Sequence, residues 1–208
     1  MLSLNKFGQI VILNGTPRSG KSSIATVIQN TFEGVWLNLG VDHYMKLIPE
    51  RYQPGIGLRP GGERPDLEPL VMVMYQTMYE SIAAHSRLGI NVVVDVGHHD
   101  EYSVPRGILP KCARILKELP VMFVGVHCPI EVIMKRRMDT WNTGYSEDGS
   151  VPTPVKRWQK SVHVPGIYDL EVDTSVLNAE ACANVIRQRL ENGPTPTAFQ
   201  LIEDMGSG

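Results

Sequence analysis

Gly15-Thr16-Pro17-Arg18-Ser19-Gly20-Lys21-Ser22 has the spacing G-x-x-x-x-G-K-S of a phosphate-binding loop, and each fixed position has a mechanical job. Gly15 and Gly20 allow backbone turns that a Cβ would block, so that main-chain amides can point at phosphate oxygens. Lys21 has the reach to meet β- and γ-phosphates, and the Ser22 hydroxyl can ligate Mg²⁺. The nucleotide site expected from the pattern is therefore Gly15, Thr16, Pro17, Arg18, Ser19, Gly20, Lys21 and Ser22, with Ser23 in the turn that follows. The flanks supply the context such a loop needs. Before it, Gln9-Ile10-Val11-Ile12-Leu13 is a short β-branched run that reads as a buried strand. After it, Ile24, Val27 and Ile28 recur at i, i+3 and i+4, one face of a helix whose N-terminus adds partial positive charge under the phosphates.

The same alternation continues outward. Val35–Leu39, Asn91–Asp95, Val121–Val126 and Leu170–Val172 read as further strands. Asn91–Asp95 is apolar along most of its length, as a parallel strand covered on both faces should be. Between them lie helical patterns at 67–88, 105–119, 131–138 and 178–191, the last with Asn178 as N-cap. Five strands alternating with helices imply an α/β fold with a parallel sheet and right-handed crossovers. In such sheets ligands bind beyond the carboxyl ends of the strands. That places the chemistry at Asn14–Ser22, Gly40–His43, Asp95–His99, His127–Pro129 and Asp173–Ser175.

Composition bounds the rest. The chain has 208 residues, 42% of them hydrophobic, with a formal net charge of −2, an ordinary globular balance without the basic footprint of a nucleic-acid binder. No apolar run is long enough to cross a bilayer, and the first strand begins within about ten residues, too early for a signal peptide. Cys112, Cys128 and Cys182 are far apart and lack metal-ligand spacing, which reads as three reduced thiols in a cytoplasmic protein. The apolar face of the 67–88 helix suits either a core or an interface between copies, leaving a homo-oligomer open. One domain is expected over 1–200. Two Gly/Pro-rich segments interrupt it, 51–66 as a substrate cover and about 139–156 as a nucleotide lid. A flexible tail is expected over 201–208.

Several side chains on the strand-end rim carry candidate chemistry. Asp42 follows the second strand, where a carboxylate can accept the proton of an attacking hydroxyl; it can also cap the helix that follows. Asp95 ends the third strand, where it can hold Mg²⁺ together with Ser22 or align a substrate. His98 and His99 are adjacent on a loop with no third ligand at matching spacing, so substrate contact or a loop role is expected rather than zinc. Arg136 and Arg137, beside the lid, can each neutralise charge on a transferring phosphoryl group, and spacing does not choose between them. Asp173 and Thr174 can meet the adenine edge or cap the last helix.

With these residues assembled, the chain resembles the chloramphenicol phosphotransferases. The resemblance runs through Ile12-Leu13-Asn14-Gly15 and the loop, Gly40-Val41-Asp42 with Leu47-Ile48-Pro49, the Asp95 strand, Val124-Gly125-Val126-His127-Cys128, and Tyr168-Asp169-Leu170-Glu171-Val172-Asp173-Thr174. It implies a three-layer α/β/α P-loop kinase fold, nucleoside-monophosphate-kinase-like, with five parallel strands in the order 2-3-1-4-5. It further implies ATP and Mg²⁺, and transfer of the γ-phosphate to a hydroxyl of a small molecule, chloramphenicol or a similar antibiotic. Asp42 then matches the family's proposed base and Arg136 an arginine that serves the phosphate, so Asp42, Lys21 and Arg136 form the expected catalytic set. A second lid arginine of the family falls near Thr140. Two other readings stand beside this one: a kinase of another metabolite (a nucleotide, a shikimate-like acid or a sugar, for which Arg51, Arg59 and Arg64 offer an arginine clamp), and a non-catalytic nucleotide-binding module.

Overall fold

The strands are β1 Ile10–Asn14, β2 Trp36–Asn38, β3 Asn91–Val96, β4 Val121–His127 and β5 Leu170–Asp173. They form one sheet in the order β2-β3-β1-β4-β5, with every pairing parallel. The structure is a computed structural model that describes residues 7–53, 55 and 58–206. Met1–Lys6 of the expected domain, Pro54, Ile56 and Gly57 of the 51–66 segment, and Ser207 and Gly208 of the expected tail lie outside the described residues. The helices among the described residues are α1 Lys21–Thr31, α2 Val41–Met45, α3 Glu68–Arg87, α4 Ile108–Ile115, α5 Ile130–Trp141, α6 Thr153–Ser161, α7 Ala179–Asn192 and α8 Ala198–Met205. None is long and apolar enough to cross a membrane.

β1 is buried along its whole length, and the period-two alternation of its side chains divides the core into two layers. Ile10 and Ile12, with Val92, Val94 and Phe123, face α3, α4 and α8. Val11 and Leu13, with Val93, Met122 and Val124, face α1 and α7. Each layer buries aliphatic side chains worth about 1.5–3 kcal/mol apiece. The apolar face of α3 (Val71, Tyr75, Met78, Tyr79 and Ile82) belongs to the first layer, so it is core rather than an interface between copies. The register aligns the carboxyl ends: Leu13 pairs with Asp95, Asn14 with Val96 and Gly125, and His127 with Asp173. The phosphate loop, Asp95 and Thr174 therefore leave the sheet at one edge.

Three expectations are corrected. The 105–119 helix is shorter, because Gly107 at φ 58° starts it and Glu118 at φ 68° lies beyond its end. The Gly/Pro-rich lid is not loop throughout: α5 runs on to Trp141, stopped by Asn142 in the left-handed conformation, and α6 begins at Thr153 after Pro152, leaving a loop over 142–152. The expected tail is largely helical. In α8, Ala198, Phe199 and Ile202 are buried, with Phe199 packed at 5.1 Å against Phe123 and stacked at 6.4 Å on Tyr79. Asp169 anchors its start by accepting the amides of Thr197 and Ala198. The i, i+1, i+4 spacing of Ala198, Phe199 and Ile202 was the signal available in the sequence, masked by the Gly-Ser ending beside it.

Because α8 completes the first core layer, the Phe199→Ala protein should lose about 3 kcal/mol of stability, measured as a lower denaturant midpoint at unchanged slope. An unchanged midpoint would return this segment to a tail.

Candidate active site

The loop between β1 and α1 needs its glycines for specific reasons. A Cβ on Gly15 would lie 2.4 Å from the Val126 carbonyl oxygen, and Gly20 sits at φ 96°. Arg18 is itself left-handed at φ 68°, a conformation unfavourable for a side chain with a Cβ. The Lys21 ammonium folds back over the loop and donates to the carbonyls of Gly15 and Thr16, each at 2.8 Å. Burial pushes its pKa down to about 8, opposed by the negative charges of Asp95 and Asp42. At neutral pH this still leaves a cation set among carbonyls that a phosphate can replace.

Asp95 and Ser22 meet directly: the serine hydroxyl donates to Asp95 Oδ2 at 2.6 Å. Ser22 at the start of α1 and Asp95 near the end of β3 both offer hard oxygen ligands, which fits an oxygen-seeking divalent ion such as Mg²⁺. The other carboxylate oxygen lies against Gly40, where a Cβ would be only 1.6 Å from Oδ1. Gly40 is thus the residue that lets the loop after β2 close on β3. It also precedes α2, which carries Asp42 in its first turn. Asp42 makes no capping bond and no hydrogen bond or ion pair among the described residues. Its charge reaches Lys21 and Tyr75, and it borders a cavity of about 920 Å³ together with Lys21, Asp95, Tyr75 and Trp158.

The arginines separate clearly. The Arg136 Nη1 donates to the Arg18 carbonyl (3.2 Å), Thr174 Oγ1 (3.0 Å) and Cys128 Sγ (3.4 Å), and Nη2 donates to the Thr174 carbonyl at 2.7 Å. It borders the cavity while tying the phosphate loop to the segment after β5. Thr174 completes that tie by donating to the Ser19 carbonyl at 2.6 Å. Asp173 does not border the cavity. Its carboxylate accepts the Ser175 amide and hydroxyl at 2.8 and 2.6 Å, whereas Thr174, Leu177, Asn178 and Ala179 line the cavity. Ser19 is buried below the loop surface. Of the three arginines offered as an acceptor clamp, only Arg59 borders the cavity; Arg64 is paired with Asp66 and Arg51 lies over Tyr52.

His98 and His99 stand behind the cavity wall, packed rather than ligating. His98 is buried, 2.7 Å from the Tyr79 hydroxyl and 4.9 Å from the Tyr75 ring, and burial drops its pKa to about 3. His99 Nε2 meets the Leu58 carbonyl at 2.9 Å and its ring packs on Tyr102 and Trp158, fastening the 51–66 segment to the wall. Among the described residues no three His, Cys, Asp or Glu side chains gather as metal ligands. Sequence reasoning put Asn14 on the strand-end rim but missed what its side chain does. Its amide donates to the Val162 carbonyl and the Tyr168 hydroxyl, and its oxygen accepts the His98 amide. A polar residue ending an otherwise apolar strand was the available signal.

Compared with known proteins, the chain matches the chloramphenicol phosphotransferase-like protein family over residues 8–191 and belongs to that family. Relatives in two strains of Mycobacterium tuberculosis, each named "Putative O-phosphotransferase", are 24% identical over 215 residues, spanning 94% of this chain and 88% of theirs. Among solved structures, the APS kinase of Mycobacterium tuberculosis, in complex with AMPPNP and APS, is 16% identical with a TM-score of 0.57, covering 90% of this chain and 99% of that one. The shikimate kinase of Acinetobacter baumannii, in complex with shikimate, is 15% identical with a TM-score of 0.55, covering 87% and 92%. These structural likenesses are of fold, and the fold is that of the P-loop kinases.

The His98 environment sets a pH dependence. Below about 6.5 an unfolded chain takes up a proton on this histidine that the folded protein refuses until about pH 3. Stability should therefore fall on acidification across that window, by up to about 1.4 kcal/mol per pH unit from one such group. His163, lowered to about 4 by burial and by the neighbouring His127 and Lys21 charges, adds to the same slope. The His98→Gln protein should show a shallower loss between pH 6 and 4 in denaturant titrations; an identical slope would contradict the assignment.

Proposed function

We propose that this member of the chloramphenicol phosphotransferase-like family is an ATP-dependent O-phosphotransferase that moves the γ-phosphate to a hydroxyl of a small molecule. The observation that carries the reading is Asp42. It is a carboxylate with no hydrogen-bond or ion-pair partner among the described residues, on the wall of the cavity that the phosphate loop opens into. In a non-catalytic nucleotide-binding module it has no evident role. In a kinase it takes the acceptor proton as the new oxygen–phosphorus bond forms and the bond to the β-phosphate oxygen breaks, releasing ADP.

The other residues follow from that chemistry. Loop amides from Gly15 to Ser22 cradle the phosphates, and Lys21 exchanges its two carbonyl contacts for phosphate oxygens. Ser22 and Asp95 would hold Mg²⁺, which when bound would supply neutralisation of the phosphate charge. Arg136 keeps the loop and Thr174 in register and so positions the nucleotide. The acceptor enters between α2, the 51–66 segment and α6, where Tyr75, Leu58 and Trp158 offer an apolar and aromatic wall. That wall favours an acceptor with a ring or apolar body, of which chloramphenicol is one, over a sugar. A second reading, an anionic metabolite, rests on Arg59 alone, because Arg51 and Arg64 are engaged elsewhere. The three buried thiols and the need for ATP both suit the cytoplasm.

The Asp42→Asn protein should retain ATP affinity by isothermal titration while its turnover falls by at least about a hundredfold, the range of general-base contributions. Turnover within about threefold of wild type would remove Asp42 as the base.

A further inference from the structure

Four arginines border the cavity, and two of them are in an unusual state. Arg136 is bonded to the loop and to Thr174, and Arg59 has Glu63 at 3.9 Å. The side chains of Arg18 and Arg137 have no hydrogen-bond or ion-pair partner among the described residues, and the Nε of each is buried and unbonded. Both instead lie on one indole. The Arg18 guanidinium carbon is 3.8 Å from the Trp141 ring centroid and that of Arg137 is 5.2 Å away. Arg137 and Trp141 are four residues apart in the last turns of α5, hence on one helix face, whereas Arg18 comes from the phosphate loop in a left-handed turn.

Burial and the positive charges of Arg59 and Arg18 together lower the pKa of Arg137. Like charges gathered in this way repel, Arg18 and Arg137 having no ion-pair partner among the described residues, and the arrangement is relieved when an anion fills the space they border. An aspartate or glutamate in place of the indole would hold the same guanidiniums but would neutralise them and compete with phosphate. An aromatic face holds a guanidinium by its quadrupole, weakly and without cancelling its charge. The Thr140 position meanwhile offers no cation.

We propose that Trp141 is a positioning residue that holds Arg18 and Arg137 as a ready pair of cations for the terminal phosphate of the nucleotide, so that these two supply the lid charge while Arg136 fixes the loop. The proposal rests on the kinase reading for its choice of ligand, and its test separates the two. Binding of MgATP, MgADP and magnesium tripolyphosphate is measured by titration calorimetry at two salt concentrations for wild type and for Arg137→Ala, Arg137→Lys, Trp141→Ala and Trp141→Phe proteins, with circular dichroism as the check on folding. Trp141 is 49% exposed, so its truncation leaves the core intact.

The Arg137→Ala protein should bind ATP and tripolyphosphate roughly tenfold to a hundredfold more weakly, the weight of a charge-assisted hydrogen bond to phosphate, with ADP affected less and a shallower salt dependence. Trp141→Ala should weaken both triphosphates by roughly threefold to tenfold, and Trp141→Phe should restore most of that loss. Wild-type affinity for both triphosphates in the two alanine variants overturns the proposal. So does a Trp141→Ala protein that loses ATP affinity but not tripolyphosphate affinity, since that pattern makes the indole a platform for the base. A wild-type protein that shows the arginine dependence yet phosphorylates no alcohol contradicts the kinase reading and leaves the cation pair standing. A wild-type protein that phosphorylates an alcohol with unchanged triphosphate binding in Arg137→Ala and Trp141→Ala contradicts the cation pair alone.

Discussion

The carboxylate of Asp95 is held between the Ser22 hydroxyl and the backbone of Gly40, and the site depends on that contact. One oxygen accepts from Ser22 at 2.6 Å; the other occupies the space where any larger residue at 40 would put its Cβ. The contact brings three elements together: β3, the start of α1 and the loop leaving β2. Asp42 stands two residues beyond Gly40, so the place of the candidate base is fixed by a glycine and a carboxylate rather than by α2, a five-residue helix with no buried residue of its own. Parallel pairing supplies the frame. Because β1, β3, β4 and β5 end in register, the groups that follow them meet without long excursions of chain.

Most of that frame was legible in the sequence. Strands buried on both faces must be apolar throughout, and runs such as Ile10–Leu13 and Val92–Val94 can be nothing else beside a glycine-rich loop. The phosphate loop was legible because its backbone demands leave few residue choices. What escaped were features that depend on partners distant in sequence. Asp42 allowed a capping or a catalytic reading, and the start of α2 at Val41 makes Gly40 rather than Asp42 the cap position. Asp173 looked like a nucleotide contact because it ends a strand, yet its carboxylate satisfies its own turn at Ser175. α6 and α8 were hidden by Gly, Pro and Ser nearby, although Pro152 and Pro154 are also ordinary helix-start residues.

Positive charge around the cavity is distributed by how firmly each group is held. Lys21 is fixed on two carbonyls and lowered in pKa by burial. Arg136 is bonded into the scaffold, while Arg18 and Arg137 rest on an aromatic ring. A nucleotide entering such a site meets a prearranged field rather than side chains that must be gathered, which is how electrostatic stabilisation avoids reorganisation during transfer. The acceptor side is built differently, from an aromatic wall backed by His98 and His99, whose buried or partnered rings keep that wall rigid and uncharged. On the proposed kinase reading, phosphate recognition is carried by charge and acceptor recognition by shape.

Phosphorus NMR of the protein with MgATP and a set of small aromatic and aliphatic alcohols tests the central claim most directly. The account predicts a new phosphomonoester resonance that grows in step with ADP for at least one ring-bearing alcohol, without a matching rise in inorganic phosphate. ATP consumed only to inorganic phosphate, or left intact with every alcohol while it binds, would contradict it.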